Sequence, residues 1–170
     1  MVAQQHNFLF ADITGYSAYA ERAGDDAAAD LAMRFASEVA ALATEHGAEF
    51  VKLVGDAVLV HAVDPARIIR LGLCLPERLA GAGLPQVHIG IHTGPAVNRA
   101  GDWWGTTVNV AARVMAAAGS GEVLVTEATV SAASGEDQIG LLSIGPRSFK
   151  NISTPVSLYS NCPEPIALAA

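Results

Sequence analysis

Cysteine is nearly missing from this chain. Two residues among 170, Cys74 and Cys162, stand in no disulfide-framework or zinc-ligand spacing, a usage that fits a reducing compartment. Positive charge is scarce too. Ten Lys and Arg face seventeen Asp and Glu, a formal net charge of −7, which argues against a nucleic-acid surface. An acidic protein can still hold a nucleotide if metal ions and a few placed cations meet the phosphates. No apolar run reaches the ~20 residues that a membrane-spanning helix needs. The start, Met1-Val2-Ala3-Gln4-Gln5-His6, lacks the basic and apolar blocks of a signal peptide. The expectation is a soluble, cytoplasmic protein without a membrane segment. Linkers, internal repeats and signs of a second domain are also missing. With 51% apolar residues over 170, the chain reads as one domain with a sizeable core.

What is present is organised around Phe50-Val51-Lys52-Leu53-Val54-Gly55-Asp56-Ala57-Val58-Leu59-Val60. Two apolar, β-branched runs flank Gly55-Asp56, the pattern of a hairpin with a type II′ turn. Before it, Phe8-Leu9-Phe10-Ala11 reads as a strand ending in Asp12-Ile13-Thr14-Gly15-Tyr16-Ser17, where a helix starts. Backbone N–H groups at such a helix start are free to meet anions. Gly24-Asp25-Asp26 then breaks that helix and caps a second, whose stripe Leu31, Phe35, Val39 and Leu42 stops near His46-Gly47. After the hairpin, Asp64-Pro65 starts a helix with the stripe Ile68, Leu71, Leu75 and Leu79, which Pro76 is expected to kink or split. Val87–Ile91 reads as a strand, followed by a loop through Gly101 and a helix from about Thr106. A strand at Glu122–Val125, a short helix near Thr126 and strands around Ile139–Ser143 and Val156–Tyr159 complete the chain. The order β-α-α-β-β-α-β-α-β-α-β-β predicts an α+β fold with a ferredoxin-like core. Its sheet is expected to be mixed and mostly antiparallel, with helices on one face and the other face left for a ligand or partner.

Several residues in this frame can carry chemistry. Asp12 and Asp56 would converge at neighbouring strand ends. Two carboxylates there suit a hard cation such as Mg²⁺, which takes one or two carboxylates and keeps waters and phosphates as further ligands. Asp12 could equally cap the following helix, and Asp56 could serve the turn alone. Asn109 and Arg113 stand i, i+4 on one helix face, where amide and guanidinium suit a ribose and a phosphate; the same pair also fits a solvated face. Lys150 by itself says little. Asp102 precedes Trp103-Trp104, which suit either the core or a protein contact.

Together these stretches resemble the catalytic domain of the class III adenylyl/guanylyl cyclases, in the form of the bacterial, stand-alone, homodimeric adenylyl cyclases. The matching motifs are Phe10-Ala11-Asp12-Ile13-Thr14-Gly15-Tyr16-Ser17, Lys52-Leu53-Val54-Gly55-Asp56, Gly90-Ile91-His92-Thr93-Gly94 and Asp102-Trp103-Trp104-Gly105-Thr106-Thr107-Val108-Asn109-Val110-Ala111-Ala112-Arg113. Lys-x-x-Gly-Asp alone would be weak, but four motifs in order are specific. The resemblance implies a single cyclase domain over 1–162 with a loose tail at 163–170. It implies conversion of ATP to 3′,5′-cyclic AMP and pyrophosphate, with two Mg²⁺ or Mn²⁺ ions per active site. Asp12 and Asp56, with the Ile13 carbonyl, would hold the ions, and the backbone at Gly15, Tyr16 and Ser17 would cradle phosphates. Lys52 and Asp102 would read the base, Asn109 the ribose, and Arg113 and Lys150 would neutralise phosphate charge. One copy supplies the acids and the other supplies the remaining side chains, so a head-to-tail homodimer with two shared sites is expected. Alternatives are a guanylyl cyclase, or a catalytically silent module that binds nucleotide or dimerises.

Substrate choice follows from hydrogen-bond polarity. Adenine offers an acceptor at N1 and a donor at N6, which Lys52 and Asp102 match. Guanine reverses both, at roughly 1–3 kcal/mol per unsatisfied buried group. His92 reads as structural. Three departures from the family pattern stand out: Tyr16-Ser17 in place of Phe-Thr, Pro95 where some members carry a basic residue, and a short loop from Pro95 to Gly101. That short loop implies a small dimerisation arm and a weak dimer.

Overall fold

The computed structural model describes residues 4–133 and 140–162. Seven strands form one sheet in the order β2-β3-β1-β4-β7-β9-β8. They are β1 (Gln5–Ile13), β2 (Glu49–Val54), β3 (Ala57–Ala62), β4 (Val87–Pro95), β7 (Val123–Thr126), β8 (Leu142–Arg147) and β9 (Val156–Ser160). Only β4–β7 pairs parallel among these; the other neighbours run antiparallel. The expected α+β architecture and mixed, mostly antiparallel sheet are therefore what the chain forms, and β2-β3-β1-β4 is the ferredoxin-like strand order. Of the strand expected at Ile139–Ser143, Ile139 lies outside the described residues, and β8 begins at Leu142. The tail 163–170 also lies outside them.

Alternation along the strands sends side chains to two faces, and each face is covered differently. Leu9, Ala11, Val58, Val60, Ile89 and Ile91 face α2 (Asp25–Glu45) and α3 (Pro65–Gly81), whose buried stripes include Phe35, Val39, Ile68 and Leu75. On the other face Phe8 and Leu59 meet Ala111, and Leu124 meets Val110 and Val114, all three from α4 (Thr106–Ala117). This corrects the expectation of helices on one face only. β4 accepts α4 at Gly90, where an added Cβ would sit 2.1 Å from the Met115 backbone nitrogen. A glycine in a strand interior marks such a close approach.

Two further expectations are corrected. α3 continues through Pro76 as one helix, so the proline does not split it. Ile68, Leu71, Leu75 and Leu79, all fully buried on both sides of the proline, are worth about 1.5–3 kcal/mol each. That outweighs the ~3 kcal/mol cost of an interior proline. The expected loop after Ile91 is instead the continuation of β4 to Pro95 and a separate ribbon, β5 (Val97–Arg99) with β6 (Asp102–Trp104). Its two-residue turn places Ala100 and Gly101 at φ 52° and 80°, positive at both positions as a type I′ turn demands. Ala-Gly lacks the usual Asn-Gly or Asp-Gly signature, so the turn was not legible in the sequence.

Candidate active site

Asp12 closes the α4-facing stripe of β1, opposite Ala57 of β3 and His88 of β4. The β2–β3 hairpin turns at Gly55-Asp56, with positive φ confined to Gly55 at 64°, as a type II′ turn requires. The Asp56 carbonyl accepts from the Ile13 N–H at 3.4 Å, which ties the hairpin tip to the end of β1. The two carboxyls come together as the sequence pattern implied. Burial first, then the neighbouring Asp56 carboxyl, push Asp12 up from 3.8 to about 6, with His88 opposing. Asp12 Oδ1 is buried without a hydrogen-bond partner. A buried orphan acceptor beside a second carboxyl is a strained arrangement for the protein alone, and it fits a divalent cation. Among the described residues no group of three or more His, Cys, Asp or Glu could by itself hold a metal ion. Magnesium takes one or two carboxylates and fills its remaining positions with water and phosphate oxygens, so a pair of acids suits it.

Beyond Asp12, Gly15 at φ 74° opens α1 (Tyr16–Ala23) without a side-chain cap. The Tyr16 hydroxyl donates to the Ala28 carbonyl at 2.9 Å, so its side chain belongs to the helix packing and its backbone to the turn. Ser17 is exposed. His88, which the sequence did not single out, bridges this turn to α4: Nδ1 lies 2.8 Å from the Ala118 carbonyl and Nε2 lies 3.3 Å from Thr14 Oγ1.

Lys52 owes its direction to a bulge. Phe50 pairs with Val60 and Lys52 with Leu59, leaving Val51 over. Without that extra residue Lys52 would oppose Val58 and enter the α2/α3 core; with it, Lys52 faces the α4 side alongside Leu59. There its Nζ reaches Asp102 Oδ2 on β6 at 2.5 Å. The Trp103 N–H donates to Asp102 Oδ1 at 2.8 Å. Lys52 and that N–H hold the Asp102 carboxyl below the usual range. A donor and an acceptor are thus paired side by side at a partly exposed position.

Asn109 and Arg113 come from one face of α4, and Lys150 from the turn before β9. All three line a groove of about 370 Å³ with Thr106, Ala112, Asn151 and Ile152. Arg113 and Lys150 are exposed and form no ion pair among the described residues. Thr106, Asn151 and Ile152 carried no sequence signal of their own. Neither Asp12 nor Asp56 lines this groove. His92 is largely buried, its Nδ1 2.8 Å from Thr126 Oγ1, and burial pushes it down to about 4. Burial thus favours its neutral form.

The profile of the adenylate and guanylate cyclase catalytic domain matches residues 3–151. The chain belongs to this family. A pH-sensitive adenylate cyclase of Mycobacterium tuberculosis is 35% identical over 161 residues, covering 92% of this cyclase domain and 40% of that protein. An adenylate cyclase of Streptomyces coelicolor is 34% identical over 120 residues, 70% of the domain and 32% of the relative. The domain thus spans well under half the length of these curated relatives. Among solved structures, the adenylyl cyclase CyaB of P. aeruginosa superposes with a TM-score of 0.77 at 22% identity, covering 92% of each chain. The catalytic core of a rhodopsin-guanylyl cyclase with converted specificity, in complex with ATPalphaS, reaches 0.79 at 20% identity, covering 93% and 94%. At such identities these neighbours speak for the fold.

Proposed function

We propose that this domain is an adenylyl cyclase, forming 3′,5′-cyclic AMP and pyrophosphate from ATP at sites shared between two copies of the chain. The observation that carries this is the separation within one chain: a strained acid pair at the β1 and hairpin ends, and a groove holding Asn109, Arg113 and Lys150 that neither acid lines. A second copy related by a two-fold axis would set each acid pair opposite a groove.

Asp12 and Asp56 would hold two Mg²⁺ or Mn²⁺ ions, with the Ile13 carbonyl as a further ligand. Such ions, when bound, lower the pKa of an attacking ribose 3′-hydroxyl and stabilise a pyrophosphate leaving group. The chain's own contribution is placement and charge. N–H groups at Gly15, Tyr16 and Ser17 meet phosphate oxygens at a helix start. Asn109 fixes the ribose so that its 3′-oxygen lies in line with the α-phosphorus. Arg113 and Lys150, without an ion pair among the described residues, are available to the charge that develops on the phosphates. Lys52 and Asp102 present a donor and an acceptor in the polarity adenine requires.

The deciding experiment is a product assay with Mn²⁺- or Mg²⁺-ATP and with GTP, run over a range of protein concentrations. Cyclic AMP formation with specific activity rising on dimerisation supports the proposal. No product at any concentration would leave a silent, nucleotide-binding or dimerising module. Preferential cyclic GMP formation would make the domain a guanylyl cyclase.

A further inference from the structure

Trp103 lies over two neighbouring strands of the sheet, β1 and β3. Its ring is 4.3 Å from that of His61 and stacked at 28°, 4.4 Å from His6, and edge-on to Phe8 at 5.4 Å. His6 and His61 are 9% and 6% exposed, with His6 Nδ1 3.1 Å from His61 Nε2. His61 Nδ1 faces Glu49 Oε2 at 3.4 Å. One tautomer satisfies the row: His6 Nδ1–H donates to His61 Nε2, and His61 Nδ1–H donates to Glu49. Both imidazoles are then neutral, as their burial favours. They make an aromatic floor rather than an acid–base pair.

The ribbon that carries Trp103 needs such a floor. Its strands are three residues long and form a two-stranded sheet of their own, and an isolated two-stranded ribbon is marginal in water. The next residue, Trp104, is 60% exposed, so only one of the two tryptophans anchors the ribbon to the sheet. At its backbone Trp103 grips Asp102 Oδ1, while Lys52 holds Oδ2. The position of the indole therefore sets the position of the carboxylate.

We propose that Trp103, seated on the His6–His61 pair, is a positioning residue for purine selection, holding the β6 end so that Asp102 and Lys52 meet the base in one geometry. This rests on the reading of Lys52 and Asp102 as the base-recognising pair. A loosened ribbon lets the carboxylate follow either purine, so discrimination falls while the groove with Asn109, Arg113 and Lys150 is left in place.

The test is kcat and KM for ATP and GTP in Trp103→Ala, Trp103→Phe and Asp102→Ala, with NMR titration of the Asp102 carboxyl. Trp103→Ala is expected to lower the ATP-over-GTP preference by about tenfold or more, mainly through KM, the scale of one lost hydrogen-bond discrimination. Trp103→Phe, which keeps a ring on the imidazoles, is expected to retain the preference within about threefold. The Asp102 carboxyl is expected to rise toward the ordinary range in the alanine variant alone. Where the alanine variant does not fold, Trp103→Leu is measured by the same criteria. An unchanged preference and an unchanged Asp102 titration in the ring-less variant would overturn the proposal. If instead Asp102→Ala itself keeps the preference, base reading by Asp102 falls, and the titration still decides whether Trp103 positions it.

Discussion

Asp12 is the residue at which the protein's needs and a ligand's needs diverge most. Its carboxyl is raised to about 6 by burial and by Asp56, with His88 opposing and the Ile13 backbone helping the charged form. The folded chain without metal therefore binds more protons than the unfolded chain between about 4 and 6. Its stability falls as pH rises through that window. A divalent cation offsets this by replacing the proton. Mn²⁺ is therefore expected to raise the melting temperature more at pH 7.5 than at pH 5, and Asp12→Asn to abolish that metal-dependent rise together with turnover. Thermal melts with and without Mn²⁺ at the two pH values check this; equal shifts at both would refute it. Lys52 and Asp102 carry a second expectation at this scale. Lys52→Glu with Asp102→Cys reverses the donor and acceptor and is expected to move preference toward GTP, read as the ratio of kcat/KM values.

Among the elements, α4 and the β2–β3 hairpin do most to place the chemistry. α4 lies across β4 at Gly90 with no room for a Cβ against the Met115 backbone. Gly90→Ala is expected to destabilise the fold by roughly 1–3 kcal/mol, the usual cost of overpacking. It should also lower activity in the fraction that stays folded, because α4 carries Asn109 and Arg113. Chemical denaturation and the cyclase assay measure the two effects, and a variant as stable and active as the parent would contradict the packing account. The hairpin works by register: the bulge at Val51 takes Lys52 out of the α2/α3 core and turns it toward Asp102. Removal of that one residue would send the lysine into apolar surroundings.

At the scale of the whole molecule, the proposed site takes its acid pair from one copy and its groove from the other, since neither acid lines the groove of its own chain. Two crippled chains are then expected to complement each other. Asp56→Ala lacks the acid pair and Arg113→Ala lacks part of the groove, yet a mixed dimer contains one site with neither lesion. Mixing the two inactive proteins is expected to restore activity toward about a quarter of the parent's, the statistical yield of intact sites in random two-fold pairing. No recovery in a mixture shown to contain heterodimers would rule out a shared site. Val97 and Trp104, cross-strand neighbours at 51% and 60% exposure on the ribbon, lie where apolar surface is left uncovered in the single chain.

By itself the sequence determined the order of the elements outside the β5–β6 ribbon, the apolar stripes, the acid-ended first strand, the Gly55-Asp56 turn and the motifs that mark the family. All of these are local patterns, written in periods of two and 3.6 residues and in turn chemistry, and local patterns survive without knowledge of partners. Only the tertiary structure decided the rest. Leu75 and its neighbours keep α3 whole through Pro76 because burial outweighs a local break. Alternation alone does not say which face α4 will cover, so the second helical layer was hidden. The Val51 bulge, the Ala100-Gly101 turn and the His6–His61 floor beneath Trp103 are cross-strand events, joining residues up to almost a hundred positions apart in the chain. Whether Asp12 and Asp56 sit close enough to trouble each other is likewise a matter of two strand ends meeting, and no one-dimensional spacing contains that distance.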